Sequence, residues 1–244
     1  HCDLLVVGGG VAGLSAALVA GRAGARVILA DEQSEFGGLT LASLAQIDGV
    51  EASQWIKAAI AELEDMADVT LLPRSTVFGY HVYNFLTINQ RLSDHLALAE
   101  RPGSREKMWQ VRAHQVVLAS GAAERPLIFA NNDRPGIMLA SAVSIYTNRY
   151  AVKPGSRAVV FTNNDSAYQT GLDLKADGVD VAAVIDARRD SSSEIANTVR
   201  NAGIEVQNGC IVVDTAGRKR LRSIEVMQLS EDGTSVSGTR QSLR

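Results

Sequence analysis

Three glycines near the start of the chain constrain its fold more than any other feature. Gly8, Gly10 and Gly13 fall at the G-x-G-x-x-G spacing directly after an apolar run, Leu4 to Val7. A short continuous apolar run bounded by glycine reads as a parallel strand buried on both faces. Each glycine then has its own task. Gly8 permits the tight turn out of the strand, Gly10 leaves the backbone bare for a close approach, and Gly13 lets the following helix pack against the strand. Gly9, Val11 and Ala12 complete the turn. A helix starting near Gly10 directs free N–H groups and the positive end of its dipole at whatever approaches, and a phosphate suits that place.

The same stretch continues into a second apolar strand, Arg26 to Ala30, and ends on Asp31 and Glu32. These acids stand about 20 residues beyond the glycines, where a carboxylate can hold the ribose hydroxyls of an adenosine. A glycine turn before an ordinary core helix is the plainer reading. The agreement of strand, glycines, helix, strand and acid weighs against it. Such a site reads only the ADP half of a ligand, which NAD and FAD share, so it does not choose between them. An acid at the end of the second strand argues against a 2′-phosphate and so against NADP.

The chain has 244 residues and a formal net charge of −3, so no basic field suggests nucleic acid. No apolar run reaches the length of a membrane span, and the apolar start is a strand rather than a leader. The two cysteines, Cys2 and Cys210, are far apart and form no C-x-x-C. That usage fits a reducing compartment, and the expectation is cytoplasmic. Without a reactive cysteine pair, disulfide reductase chemistry is not expected. No metal-ligating set and no catalytic nucleophile or base stands out.

After Glu32, the loop Gln33 to Leu39 carries Gly37 and Gly38, whose N–H groups can face a ligand or merely form a surface turn. Ser53 to Asp65 reads as an amphipathic helix with Ser53 as its cap. Val69 to Leu72 reads as the third parallel strand. Thr76 to Ile88, Met108 to Arg112 and Gln115 to Ala119 are rich in strand formers and suggest a small antiparallel sheet inserted before the parallel sheet resumes. His81 on this stretch is read as covering a sheet face, not as a catalyst. Ser120 and Gly121 follow the last strand as a small-residue turn near the nucleotide. Arg125 and Arg134, in Pro/Gly-bearing connections, are open to ligand, partner or structural roles. Ser141 to Tyr150 reads as a helix.

The second half repeats the first with a loss. A shift of 154 positions places Gly24 on Gly178, Val27 on Val181 and Glu32 on Asp186, but Gly8 on Thr162 and Gly10 on Asn164. The expected architecture is therefore α/β, with two Rossmann-like domains of the FAD/NAD(P)-binding type. Residues 1–150 would form a dinucleotide-binding domain with a β meander over about 76–112, and residues 151–244 a second domain with an altered glycine loop. The polar tail Ser230 to Arg244 closes nothing in this reading, and the chain is expected to be a piece of a longer protein.

Val116 to Ala122, Glu124 to Leu127, Asn131 to Gly136 and above all Val159 to Tyr168 resemble the α subunit of heterotetrameric sarcosine oxidase. The resemblance implies that Gly8, Gly10, Gly13, Asp31 and Glu32 hold the ADP half of NAD, with Gly38, Ser120 and Gly121 near it. It implies that flavins sit mainly on, or at the boundary with, another subunit. Oxidative demethylation of sarcosine would be completed there, and the isolated stretch would be inactive. It implies the other oxidase subunits as partners and supplies no catalytic residue here. Two alternatives stay open: a free-standing FAD-dependent NAD(P)H oxidoreductase, and a non-catalytic scaffold fragment.

Overall fold

In the computed structural model, which describes residues 1–101 and 103–244, the apolar run after His1 forms strand β1 (Cys2–Val7). The turn at Gly8 feeds α1 (Val11–Arg22), and β2 (Val27–Ala30) returns parallel to β1. The Asp3 carboxylate ties the two strand starts together by accepting from the Arg26 backbone N–H at 2.9 Å and from its guanidinium at 2.7 Å. A tight turn over Gly38–Ala42 leads to a short ladder of β3 (Gln46–Ile47) and β4 (Val50–Glu51), then to α2 (Ala52–Glu64) and β5 (Val69–Leu72). The cap of α2 is Glu51, so Ser53 already lies inside the helix and is not its cap.

β6 (Ser75–His81) and β7 (Phe85–Arg91) form a hairpin, and β8 (Glu106–Leu118) joins it to β1. The two strands expected over Met108–Arg112 and Gln115–Ala119 are thus one strand of 13 residues. Its first half pairs antiparallel with β7 and its second half parallel with β1. The meander is consequently continuous with the parallel sheet, in the order β5-β2-β1-β8-β7-β6. β1 is covered on both faces, as its unbroken apolar run requires. Val6 packs with Leu14, Ile56 and Leu63 of the helices, and Leu5 packs with Leu86, Ile88 and Val111 beyond the other face.

The chain divides into two compact units, His1–Ala122 and Ala123–Arg244. Residues 123–150 therefore pack with the second half instead of the first. The reason lies in α3 (Ala140–Ser144) and the widened turn Ile145–Arg149 that follows it. The Glu124 carboxylate caps α3 by accepting from the N–H groups of Ala140 and Ser141 at 3.0 and 2.8 Å. β9 (Arg157–Thr162), α4 (Ser166–Ala176) and β10 (Asp180–Asp186) follow as the second strand–helix–strand repeat. Ser144 and Asn148 hydrogen-bond to Thr170 and Asp173 of α4.

α5 (Glu194–Asn201), capped by Ser193, leads to β11 (Val206–Asn208), which lies parallel to β10. β12 (Cys210–Gly217), β13 (Leu221–Leu229) and β14 (Val236–Leu243) form an antiparallel sheet. Here the structure departs from the sequence reading, because the polar tail is itself a paired strand. Its turn is held by Asp232, which accepts from the hydroxyls of Ser230 and Thr234 at 2.6 Å each.

Candidate functional site

The glycine turn shows which of its members the fold itself demands. Gly8 has φ +101°, and a β-carbon there would collide with the carbonyl oxygen of Ala119 and lie 3.0 Å from Ser120 Cα. A β-carbon on Gly13 would run into the Gly8 carbonyl, and one on Gly9 into the buried ring of Phe36. Gly10 is different. Its φ of −70° is open to any residue. A β-carbon built on it meets nothing within 4 Å. No steric contact within the unit therefore demands glycine here, although it caps α1; a group approaching from outside would demand it.

Two more glycines complete the rim. Gly37 donates its N–H to the Gly9 carbonyl at 2.7 Å, and a β-carbon on Gly38 would lie 3.3 Å from Gly10 Cα. Gly121 has φ +71° on the far side of Ser120. The sequence-expected residues Gly8 to Gly13, Gly38, Ser120 and Gly121 are thus gathered around the C-terminal end of β1, where open α/β sheets bind ligands. α1 begins at Val11, and the first N–H groups of a helix have no partner within it.

The paired acids separate in the structure. Asp31 is 9 % exposed and turns inward. Its Oδ2 accepts from the Gly9 N–H at 2.5 Å and its Oδ1 from the Gln33 N–H at 2.7 Å. Glu32 is exposed and lines an open polar cleft of about 500 Å³ together with Gln33, Ser34, Arg74, Thr76 and Arg91. Arg91 donates to the Glu32 main-chain carbonyl at 2.8 Å. Sequence reading missed Arg74, Thr76 and Arg91. They come from the β5–β6 corner, β6 and the end of β7, and no spacing in the chain links them to Glu32.

The register of the second unit corrects the expected internal correspondence. In β1 and β2, Val7 stands opposite Ala30; in β9 and β10, Phe161 stands opposite Ile185. A bulge between Val181 and Ala183 adds one residue to β10. Asp186 therefore occupies the place of Asp31, not that of Glu32. It is fully buried and accepts from the Tyr168 hydroxyl at 2.7 Å and from the Arg188 backbone N–H at 2.9 Å. The Arg188 guanidinium spans from Asp186 at 2.7 Å to Asp165 at 2.6 Å. These contacts push its pKa above the ordinary arginine range, the Asp186 hydrogen bond contributing most. The glycine positions are taken by a self-bonded turn in which the Thr162 hydroxyl donates to the Asn164 carbonyl at 2.8 Å.

Arg134 is structural, since its guanidinium reaches the Gly217 carbonyl and donates to the Thr215 hydroxyl at 3.2 Å. His81 lies exposed at the end of edge strand β6, away from the glycine turn's partners. Among the described residues no three His, Cys, Asp or Glu side chains gather in a way that could hold a metal ion. No helix among them is long and apolar enough to cross a membrane.

The fold is of the FAD/NAD(P)-binding Rossmann type, and residues 3–121 match the family described as FAD dependent oxidoreductase. In sequence the chain is similar to sarcosine oxidase α subunits. It is 50% identical over 236 residues to sarcosine oxidase subunit alpha of Corynebacterium sp. (strain P-1), a match covering 95% of this chain and 24% of that protein. Against the subunit of Rhizobium meliloti (strain 1021) it is 42% identical over 229 residues, covering 93% and 22%. The chain thus spans about a quarter of the length of these curated relatives. Among solved structures, the L-proline dehydrogenase of P. horikoshii aligns at TM-score 0.65 and 19% identity over 95% of this chain and 39% of that one. Lactococcus lactis thioredoxin reductase (FR conformation) aligns at 0.68 and 14% over 99% and 75%. At such identities the likeness is one of fold.

Proposed function

We propose that the first unit binds the ADP half of NAD and serves as the nucleotide-binding part of the α subunit of a multisubunit sarcosine, or N-methyl amine, oxidase. The observation that carries the nucleotide reading is Gly10, a glycine that no contact within the unit demands. Its bare backbone suits a pyrophosphate, and the N–H groups of Val11 and Ala12 at the start of α1 suit the phosphate charge. Asp31 and Glu32, at the end of β2, would take the ribose diol. When bound, the dinucleotide supplies a ring that can exchange a hydride. The residues of this chain hold and orient its other end.

The oxidase assignment rests on likeness to the sarcosine oxidase α subunits. In this reading, demethylation is completed on another subunit, and the chain alone is inactive. It contributes no acid, base or nucleophile of its own. The match of residues 3–121 to an FAD dependent oxidoreductase family favours a second reading, FAD in the first unit. A free-standing flavoenzyme would also need a nicotinamide site in the second unit, and Arg188 and the Thr162–Asn164 turn argue against one.

The test begins with the purified full-length protein. It is denatured, and the released small molecules are measured by visible spectrum and by enzymatic assay for NAD. NAD from the first unit is expected, with loss of that NAD in a Gly10→Val variant. Flavin retention that depends on Gly10, without NAD, would overturn the NAD assignment. Sarcosine turnover by this chain alone would overturn the division of labour.

A further inference from the structure

We propose that the cationic tip of the β12–β13 hairpin, formed by Arg218, Lys219, Arg220 and Arg222, docks onto an acidic face of another subunit. This rests on the multisubunit reading above and adds to it the surface through which the second unit would be held.

The four cations fall within five residues, and all four are exposed. Among the described residues none of them has a side-chain hydrogen bond or an ion pair. Other arginines of the second unit are tied down. Arg157, Arg188 and Arg240 pair with Asp180, Asp186 and Glu225. Arg189 and Arg200 donate to main-chain carbonyls at 3.0 and 2.8 Å. Gathering four like charges on one tip raises the energy of the free chain, and no acid among the described residues offsets it. An acidic surface brought against the tip would.

The tip is built, not loose. Gly217 has φ +139°, and a β-carbon there would collide with the Arg220 carbonyl oxygen. The Arg134 guanidinium holds the Gly217 carbonyl, and the Leu221 N–H donates to the Pro135 carbonyl at 2.9 Å. The loop over 131–136 thus fixes both sides of the tip. The ladder then passes from Ala216 opposite Ser223 to Gly217 opposite Leu221, so Arg222 is a bulged residue with none opposite it. Bulges re-aim side chains. Leu221 packs against the cluster of Ile224 and Val226, while Arg220 and Arg222 on either side of it stay in solvent. Cations carried on a fixed backbone lose less freedom on docking than cations on a floppy loop.

Charge also selects the kind of partner. Arginine forks match carboxylates, and charged groups at protein interfaces steer the encounter and fix its register. A nucleic acid or an anionic membrane spreads its charge widely and would also meet the rest of a chain whose net charge is −3. A local acidic patch on a protein meets the tip alone.

The experiment uses the full-length subunit purified in complex with its partners. Carbodiimide joins an amine to a carboxylate in contact with it, and mass spectrometry maps the joined peptides. Lys219 should be joined to an aspartate or glutamate of another subunit, and a soluble acetylating reagent should modify it more slowly in the complex than in the subunit released by salt. The triple variant Arg218→Glu, Arg220→Glu, Arg222→Glu should keep the wild-type urea midpoint and weaken assembly at low salt about tenfold or more. That difference should shrink as salt rises. Equal acetylation of Lys219 in the complex and in the released subunit would overturn the proposal, and so would joining only to carboxylates of its own chain. A folded triple variant that assembles like wild type would overturn it too. Binding to transfer RNA or to phosphatidylglycerol vesicles that the variant loses, with assembly intact, would assign the tip to a polyanion instead. The Lys219 measurements need no variant, so they decide the matter even if the triple variant does not fold. A full-length chain that purifies with no other subunit would overturn the multisubunit reading and the docking together. A freely modified Lys219 within an assembled complex would overturn the docking alone.

Discussion

The Tyr168 hydroxyl donates to the Asp186 carboxylate at 2.7 Å, and both side chains are fully buried. In the first unit the corresponding acid, Asp31, accepts from Gly9 of the glycine turn. The same strand end therefore serves two ends: an open crevice in one unit, and an internal network in the other that consumes the carboxylate. Tyr168→Phe removes one donor from a buried carboxylate and should cost about 1–3 kcal/mol. Urea unfolding followed by circular dichroism measures the cost. No change in midpoint would mean the bond contributes nothing to the fold.

Glycines of the first turn should sort into two groups. Gly8→Val places a β-branched residue at φ +101° against Ala119 and should prevent folding of the first unit. Gly10→Val has an ordinary φ and room for its β-carbon but replaces the cap of α1, so it should fold with a loss of about 1 kcal/mol while losing dinucleotide affinity. Thermal melts with and without NAD separate the two. Unchanged NAD affinity in Gly10→Val would contradict the site.

One NAD per chain is the expected stoichiometry. The Arg188 guanidinium, bonded to Asp165 and Asp186, lies across the place where the second unit would receive a nucleotide. Titration calorimetry should fit a single site, and Asp186→Asn should lower stability without changing NAD affinity. Two equivalent sites would show that the second crevice opens.

Acid should destabilise the protein. Arg26 holds the Asp3 carboxyl well below the ordinary range through its hydrogen bonds, and Arg188 lowers Asp165 in the same way. Asn131 lowers Asp214, and Ser230 and Thr234 lower Asp232. A carboxylate whose pKa is lowered on folding stabilises the native state above its unfolded pKa of about 3.9. That stability is lost as pH falls through the lower folded value. Urea midpoints should hold between pH 6 and 8 and fall below about pH 4, with a shallower fall in Asp3→Asn. A midpoint that rises on acidification would reverse the sign of this argument.

Much of the first unit was legible because its signals are local. The apolar run of β1, the tight turn at Gly8 and the close packing at Gly13 depend on residues a few positions apart. The hairpin between β6 and β7 was harder to see, since its turn contains neither glycine nor proline. Tyr83 and Asn84 both adopt positive φ, at 58° and 49°. The cost is met from a distance: the Asn84 side-chain amide donates to the His114 carbonyl at 3.0 Å and its oxygen accepts from the Tyr80 hydroxyl at 2.9 Å. The join of two expected strands into β8 was hidden for a similar reason, because one strand changes partner midway, from β7 to β1.

By itself, then, the sequence determined that a strand, a bare glycine turn and a helix would come together twice, and that the second copy had lost its glycines. Those are properties of backbone freedom and apolar spacing, which act over a single turn or strand. Tertiary structure alone decided which acid faces inward. Asp31 and Glu32, adjacent in the chain just past β2, meet different surroundings: the N–H groups of Gly9 and Gln33 draw Asp31 inward, while Glu32 faces the cleft. One bulged residue in β10 was enough to move Asp186 from the place of Glu32 to that of Asp31. The cleft beside Glu32 likewise exists only where the β5–β6 corner and the end of β7 bring Arg74, Thr76 and Arg91 to it.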